Sequence, residues 1–583
     1  MATHIAAISL TLVLFSCLGM AYFGWGRIAS TILGISQKTP NSAVMTIWLG
    51  WTFMLGVLQL LNFILPINVY VGLPIFLFGI IVSTPTIVNR LRQCFSQDYP
   101  PFKLAGMGII GLVVITWIAS RAMIPPSNYD SGLYHFNTIR WIETYPTIPG
   151  LGNLHGRLAF NQSFFTYVAA LNFHPFFGYG RSLANSFLLL VTISTILPTL
   201  FTVLRQPSLL TRSHPLLHTS DLFVLPIVIY LALSSEGLAS PSPDLTSTLL
   251  QLAMFVMLSH SIAEWISGQK SQDYQVMVLL ALATTAITIK LSNLAFSVAI
   301  ICFCLLYAWQ SSWSWRQVVI RMMIPMSALI LIWGSRGFLL SGAPLYPSMI
   351  GYVPVDWAVP TDRVIDEGNW VFSWARQPNT HWRHVLGHWD WFVPWLKRIS
   401  TLKIEVVYPA SFFALFGIAT ISTGIFSFLR RSNRLQFLEY YIFIPPAISI
   451  VYWFFTAPDP RFSHAAFWLI SVSSILLFLS SLQKNVSKQV FLVTTWIVLA
   501  ISNLHFLEYA SSHIGNTMIS TTGWQSTKVV PLVKKITQSG LIIYKPEQND
   551  QSWDSPLPST PYFNNSLRLR TPGSFASGFT VKK

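Results

Sequence analysis

Runs of roughly 17–25 apolar residues can cross a bilayer as single helices. Such runs recur along almost the whole of this chain, parted by short polar breaks. They cover 5–24, 44–64, 68–88, 104–122, 182–204, 221–235, 245–266, 274–290, 293–309, 318–340, 406–429, 438–456, 462–482 and 489–507. That makes about fourteen membrane-spanning helices. One further apolar run, SFFTYVAALNFHPFFGYG at 163–180, is broken by His174 and Pro175 and reads as interfacial or re-entrant. Two long segments, 123–181 and 341–405, separate groups of helices. The chain ends in a polar stretch containing KPEQNDQSWDSPLPSTPYFNNS. The pattern predicts an all-α polytopic membrane protein with amphipathic helices on one face and a small, partly irregular C-terminal tail. No heptad or tandem repeat is present.

Composition strengthens the membrane reading. Of 583 residues, 52% are hydrophobic and only 10% charged, and the mean hydropathy is +0.54. Soluble domains carry about 25% charged residues, so this chain lacks the polar surface to dress a globule of its size. The net charge of +16 does not point to nucleic acid, because Lys and Arg are dispersed among apolar runs and form no basic face. Cys17, Cys94, Cys302 and Cys304 lie in or beside apolar runs without metal or disulfide spacing, and read as packing residues. The first apolar run lacks a basic flank and a small-residue cleavage site, which marks it as a retained helix.

Basic residues orient the chain. One set of short loops carries Arg27, Lys38, Arg90, Arg92, Lys103, Arg205, Arg212, Lys270, Arg316, Arg430, Arg431, Arg434, Lys484 and Lys488. The opposite short connections hold little beyond Lys290 and Arg461. By the positive-inside rule the first set is cytoplasmic. Both termini, the segments 123–181 and 341–405, and the tail after 508 then lie outside, provided that 163–180 does not cross.

With this orientation, four polar pieces far apart in sequence fall on the outer face. These are YDSGLYH (129–135), SEGLASPSPD (235–244), Lys290 in ITIKLSN, and APDPRF (457–462) with Asp459 and Arg461. Polar groups at membrane depth are costly and commonly mark a functional cavity. Each piece also has a plainer reading. Asp130 suits the N-cap of an amphipathic helix over 131–145, and His135 suits a hydrogen bond at the interface. Arg140 and Arg157 suit snorkelling to headgroups, and the prolines and acids suit ordinary turns. The constellation outweighs its members, because independent turns need not collect on one face.

A second polar group lies in 333–405. There Arg336 stands where a helix meets the outer face, and in the stretch 369–395 six Trp accompany Arg376, His381, Arg383, His384, His388 and Asp390. The three histidines fall roughly on one helical face, but no cysteine assists and the flanks are Trp and Arg. Interleaved Trp and Arg better suit a headgroup belt, sugar stacking or a phosphate grip. No P-loop, dinucleotide fingerprint or nucleophile elbow is present.

Many apolar helices, an acid just past a helix in the first long outer loop and an amphipathic stretch after it resemble the GT-C superfamily of integral-membrane glycosyltransferases. The resemblance rests on Asp130 in NYDSGLYHFNTIRW, with the SPSPD and APDPRF turns, and covers 104–510. The three helices in 1–103 are then an addition, and 511–583 is an outer-face tail. The resemblance implies an enzyme of a bacterial cytoplasmic membrane. It would take a sugar from a polyprenyl-phosphate donor and pass it to a lipid, glycan or protein acceptor at the outer face. Asp130 would be the general base or the group that positions the acceptor hydroxyl. His135, Arg140, Asp244, Lys290, Arg336, Asp459 and Arg461 are the substrate-binding candidates, the cations among them suiting the departing phosphate. Membrane lipids and the polyprenyl-phosphate sugar are the implied partners, with no nucleic acid. No cofactor is required with certainty, and a divalent cation at the phosphate is left open. Many members carry paired acids in the first loop, whereas Ser131 follows Asp130 here, so Asp244 and Asp459 become possible partners. The alternatives are an O-antigen-ligase or polymerase type, a transporter, and a non-catalytic membrane subunit. Against transport stands the lack of a charged residue at mid-helix depth or an inverted repeat.

Overall fold

The computed structural model describes residues 2–35, 42–96, 101–268, 273–429, 437–513 and 523–581. Lys38, Lys270, Arg430, Arg431 and Arg434 lie outside the described residues, as do the side chains of Arg90, Cys94 and Lys103. Among the described residues, twelve helices are long and apolar enough to cross a membrane, and Gly108–Ala122 and Asp273–Ile289 are shorter apolar helices. Together they occupy all the runs read from the sequence. The chain is an all-α, multi-pass membrane protein.

Lipid-facing sides are apolar where a soluble protein would be polar: Ile109, Leu112, Val113, Leu331, Ile418 and Ile421 are all exposed. Helices instead meet through small residues and buried hydroxyls, since lipid provides no hydrophobic drive between them. A side-chain carbon added to Gly50 would lie 1.8 Å from the Tyr22 carbonyl oxygen, so only glycine lets Ser42–Leu61 approach Ala2–Ile32 this closely. The Thr46 hydroxyl lies 2.7 Å from that of Tyr274, and Trp48 Nε1 donates to Thr195 Oγ1. These bonds bind the N-terminal helices into the rest of the bundle.

The run 163–180 does not cross. Its helix Phe164–Ala170 has 7 residues, about 10 Å of rise, and Ser163 ties its start to Thr288 at 2.8 Å. The helix Pro215–Ser234 begins six residues before the expected 221, because Pro215 takes the first helical position behind a capping His214. Asp221 therefore lies about 9 Å inside an apolar helix. It is fully buried, and its Oδ1 lies 2.8 Å from His260 Nε2. Asp221, expected at the first residue of the span, thus stands a third of the way along it.

One end of the bundle gathers the turn 235–242, Lys290, the turn 456–465 and the segments 123–182 and 342–402. The Asn185 amide explains part of this. It donates towards the carbonyls of Gly237, Ser240 and Ser242 at 2.8–2.9 Å and accepts from Thr246. Gln251 and Asn293 do the rest: Gln251 donates to Asn293 and accepts from Ala465 N, while Asn293 donates to Ser247. The tail docks on this same end. Its strands β1 (Leu532–Ile536) and β2 (Ile542–Pro546) pair antiparallel, as do β3 (Leu567–Thr571) and β4 (Ser574–Val581). Between the ribbons, Trp553 N donates to Gly132 O.

Candidate functional site

Asp130 precedes a short wide helical turn, but its side chain makes no capping bond there. Its carboxylate faces two guanidinium groups. Oδ2 accepts from Arg461 Nη1 at 2.9 Å, and Oδ1 lies 3.6 Å from Arg157 Nη1. The capping role is set aside by this geometry. Arg461 is presented by a single turn, Pro460–Ser463, which Asp459 fixes from both oxygens. Oδ1 accepts from Arg461 N, and Oδ2 accepts from Arg398 Nη1 at 2.9 Å. Asp459 therefore builds the turn and Arg461 points from it.

Asp244 stands in the first turn of Pro243–Ile266, where the helix dipole favours an anion, and forms an ion pair with Lys290. Lys290 interrupts the chain between two helices with an extended backbone. Its ammonium lies 4.4 Å from the centre of the Phe462 ring, and the Arg461 guanidinium lies 4.7 Å from the same ring. The two cations are thus neighbours. Burial works against the charge on Arg461, but Asp130, Asp244 and Asp459 outweigh it and raise its pKa. Burial lowers the pKa of Lys290, with Asp244 opposing the drop. Arg157 is also held charged against burial, by Glu367 and Asp130.

The remaining candidates lie beneath this corner or away from it. His135 is buried beneath it, with Nδ1 3.1 Å from Ser131 Oγ, and burial pushes its pKa down to about 4. It is a core histidine, packed against the rings of Tyr134 and Phe165. Arg140 donates to the Asp554 carbonyl of the tail at 2.7 Å and not to headgroups. Arg336 is buried in the interior, donating to Asn161 Oδ1 at 2.9 Å and towards Asn62 Oδ1 at 3.4 Å. His381, His384 and His388 share no helical face, because the segment around them is a chain of turns. His381 stacks on Trp382, and His388 faces Asp390. Arg376 donates to the Phe455 and Thr456 carbonyls.

Two members of the corner carried no signal strong enough to be chosen. His464 closes the APDPRF turn, and its Nε2 lies 2.7 Å from Ser292 Oγ. Glu367, on the amphipathic helix Thr361–Arg376, faces Arg157 Nε at 3.6 Å. Asp130, Asp244 and Asp459 each face cations of the chain. Among the described residues no group of three or more His, Cys, Asp or Glu is placed to hold a metal ion. The donor set does not fit a divalent cation. A cavity of about 1260 Å³ between 352–362 and the β-ribbons shares no residue with the corner. Its clearest ion pair, Arg570 with Asp356 at 2.7 Å, is partly exposed. Converging, partly buried charges, rather than cavity size, single out the Asp130 corner.

The model of a domain of unknown function, DUF8201, matches residues 8–468. The chain belongs to this family. No curated protein and no solved structure matches it. The DUF8201 match takes in Asp130, Arg157, Asp244, Lys290, Arg461 and His464, and leaves the tail outside.

The tail nevertheless touches the site's first loop. A side-chain carbon at Gly132 would lie 2.6 Å from the Trp553 ring. Gly132→Leu is expected to lift the 547–563 strap. Limited proteolysis should then cut there in the variant and spare the original protein.

Proposed function

We propose that the chain is a membrane-embedded glycosyltransferase of GT-C type. It would use a polyprenyl-phosphate sugar as donor and a lipid, glycan or protein as acceptor, at the outer face of a bacterial cytoplasmic membrane with both termini outside. The observation that carries this reading is the convergence of Asp130 with Arg461, beside the Lys290–Asp244 pair, from four segments at one end of the bundle. Glycosyl transfer needs a proton acceptor near a hydroxyl and positive charge near a phosphate, and this corner holds both.

In this reading an acceptor hydroxyl approaches Asp130 Oδ1, whose contact with Arg157 is the longer of the two. The hydroxyl oxygen bonds to the anomeric carbon as the bond from that carbon to the phosphate oxygen breaks. The hydroxyl proton passes to Asp130, and the electron pair of the broken bond leaves on the phosphate. Lys290 and Arg461 face that developing charge. The Trp-rich belt around Trp389 and Trp374, both exposed, would lie at headgroup level.

A second reading, transport of a lipid-linked or small polar solute, is favoured by the buried Asp221–His260 pair in two spans. Reconstituting the full chain in liposomes with a labelled polyprenyl-phosphate sugar tests the first reading. Release of polyprenyl phosphate that depends on an added acceptor supports it. Passage of label across the bilayer without release supports the second and contradicts the first.

A further inference from the structure

His464 is a titratable group in the corner that the proposed chemistry leaves unused. It is 7% exposed, and its backbone holds φ 52° and ψ −115°, a conformation that strains any residue with a side chain. That strain aims its Nε2 at Ser292 Oγ, 2.7 Å away. The charged groups acting on it come from every element around it. Asp244 is on the helix Pro243–Ile266, Lys290 is in the break before Ser292, and Arg461 is on its own turn. Burial first, and then Lys290 and Arg461 against the pull of Asp244, bring its pKa down to about 3. The imidazole is therefore neutral in the free protein.

The charges around it already balance. Arg157, Lys290, Arg398 and Arg461 face Asp130, Asp244, Asp459 and Glu367. An anion entering between Lys290 and Arg461 adds negative charge to a neutral, partly buried network. It also offsets the repulsion from Lys290 and Arg461, which adds to burial in holding His464 unprotonated. The carboxylates are each held by a cation, and of the two neutral imidazoles these charges act on, His135 is 1% exposed beneath the corner whereas His464 stands on the Arg461 turn against Ser292, so His464 is the group best placed to compensate.

We propose that occupation of the Lys290–Arg461 corner by a phosphate-type anion is coupled to uptake of a proton on His464. The protonated ring then donates from Nε2 to Ser292, whose hydroxyl is freed to donate to the anion. The inference rests on the phosphate chemistry of the proposed function and adds a proton-linked binding residue to it. The sign follows from linkage. A group protonated only in the bound state favours binding at low pH, and that gain is lost as pH rises through its bound-state pKa.

Calorimetric titration of the full-length protein in nanodiscs tests this. The probe is a phosphate diester carrying a short prenyl chain, whose own charge is constant around neutrality. Two buffers of different ionisation enthalpy report the protons taken up per anion bound. About one proton is expected for the original protein and none for His464→Gln. Affinity in the original protein should fall by up to about tenfold per pH unit on the alkaline side. Dimethyl phosphate in a second arm separates a lipid headgroup from free phosphate. Binding of both with uptake, or of the prenyl diester alone with uptake, supports the coupling. Binding without uptake, or uptake unchanged in His464→Gln, overturns it and leaves the phosphate reading standing. Failure of both anions to bind overturns the phosphate reading and the coupling with it. Should His464→Gln not fold, a pH-independent affinity in the original protein overturns the coupling on its own.

Discussion

Asp130→Asn is expected to abolish sugar transfer in membranes, by about 10²–10⁴-fold, while the amount of folded protein stays within twofold or so. The amide keeps the size and the hydrogen-bonding reach of the carboxylate but cannot take a proton at a useful pH. It also loses the charge that faces Arg461 at 2.9 Å and Arg157 at 3.6 Å. Asp130 stands at the start of a helical stretch with αR backbone, and the turn after it does not depend on its side chain, so the fold should survive. Transfer assayed in membranes, alongside the protein level by immunoblot, checks both halves. Undiminished transfer by the variant removes Asp130 as the base.

Lys290→Met is expected to cost the most stability. The Lys290 and Asp244 side chains are 16% and 18% exposed, and removing the ammonium takes from the Asp244 carboxylate its direct partner, leaving Arg461 as the nearest cation acting on it. Breaking a buried pair from one side costs about 3–5 kcal/mol, and the Phe462 ring and Arg461 lose their neighbour as well. Asp244→Asn combined with Lys290→Met should recover most of that loss, because no unpaired charge remains. Thermal unfolding of the detergent-solubilised proteins decides. A double variant no more stable than Lys290→Met would mean that the pair is not the source of the loss. Restored stability without restored transfer would separate Lys290's chemical role from its structural one.

The spans were legible because lipid imposes a length and an apolarity that no other solvent demands. The grouping of SPSPD, Lys290 and APDPRF was legible for the same reason, since spans of fixed length return alternate turns to one face. Partners across that face were not. Asp130 and Arg461 are 331 positions apart, and nothing local to either names the other. The surroundings of His135 and Arg140 were not legible for a related reason. Phe165 packs on the His135 ring and Asp554 of the tail accepts from Arg140, and both contacts are long-range. Asp221 was missed locally. Hydropathy placed the helix start at the first unbroken apolar residue, whereas Pro215 and its capping His214 start it earlier. Arg336 was recognised as an arginine near the end of a span, but its burial between Asn62 and Asn161 depends on two side chains from other segments.

The most direct test of the central claim is the lipid-linked pool of a strain lacking this chain. If the corner transfers a sugar from a polyprenyl-phosphate donor, that donor should accumulate several-fold in extracted lipids. It should return to its original level when the intact gene is restored, and fail to return with Asp130→Asn. An unchanged pool in the deletion strain, or full correction by Asp130→Asn, would contradict the glycosyltransferase reading.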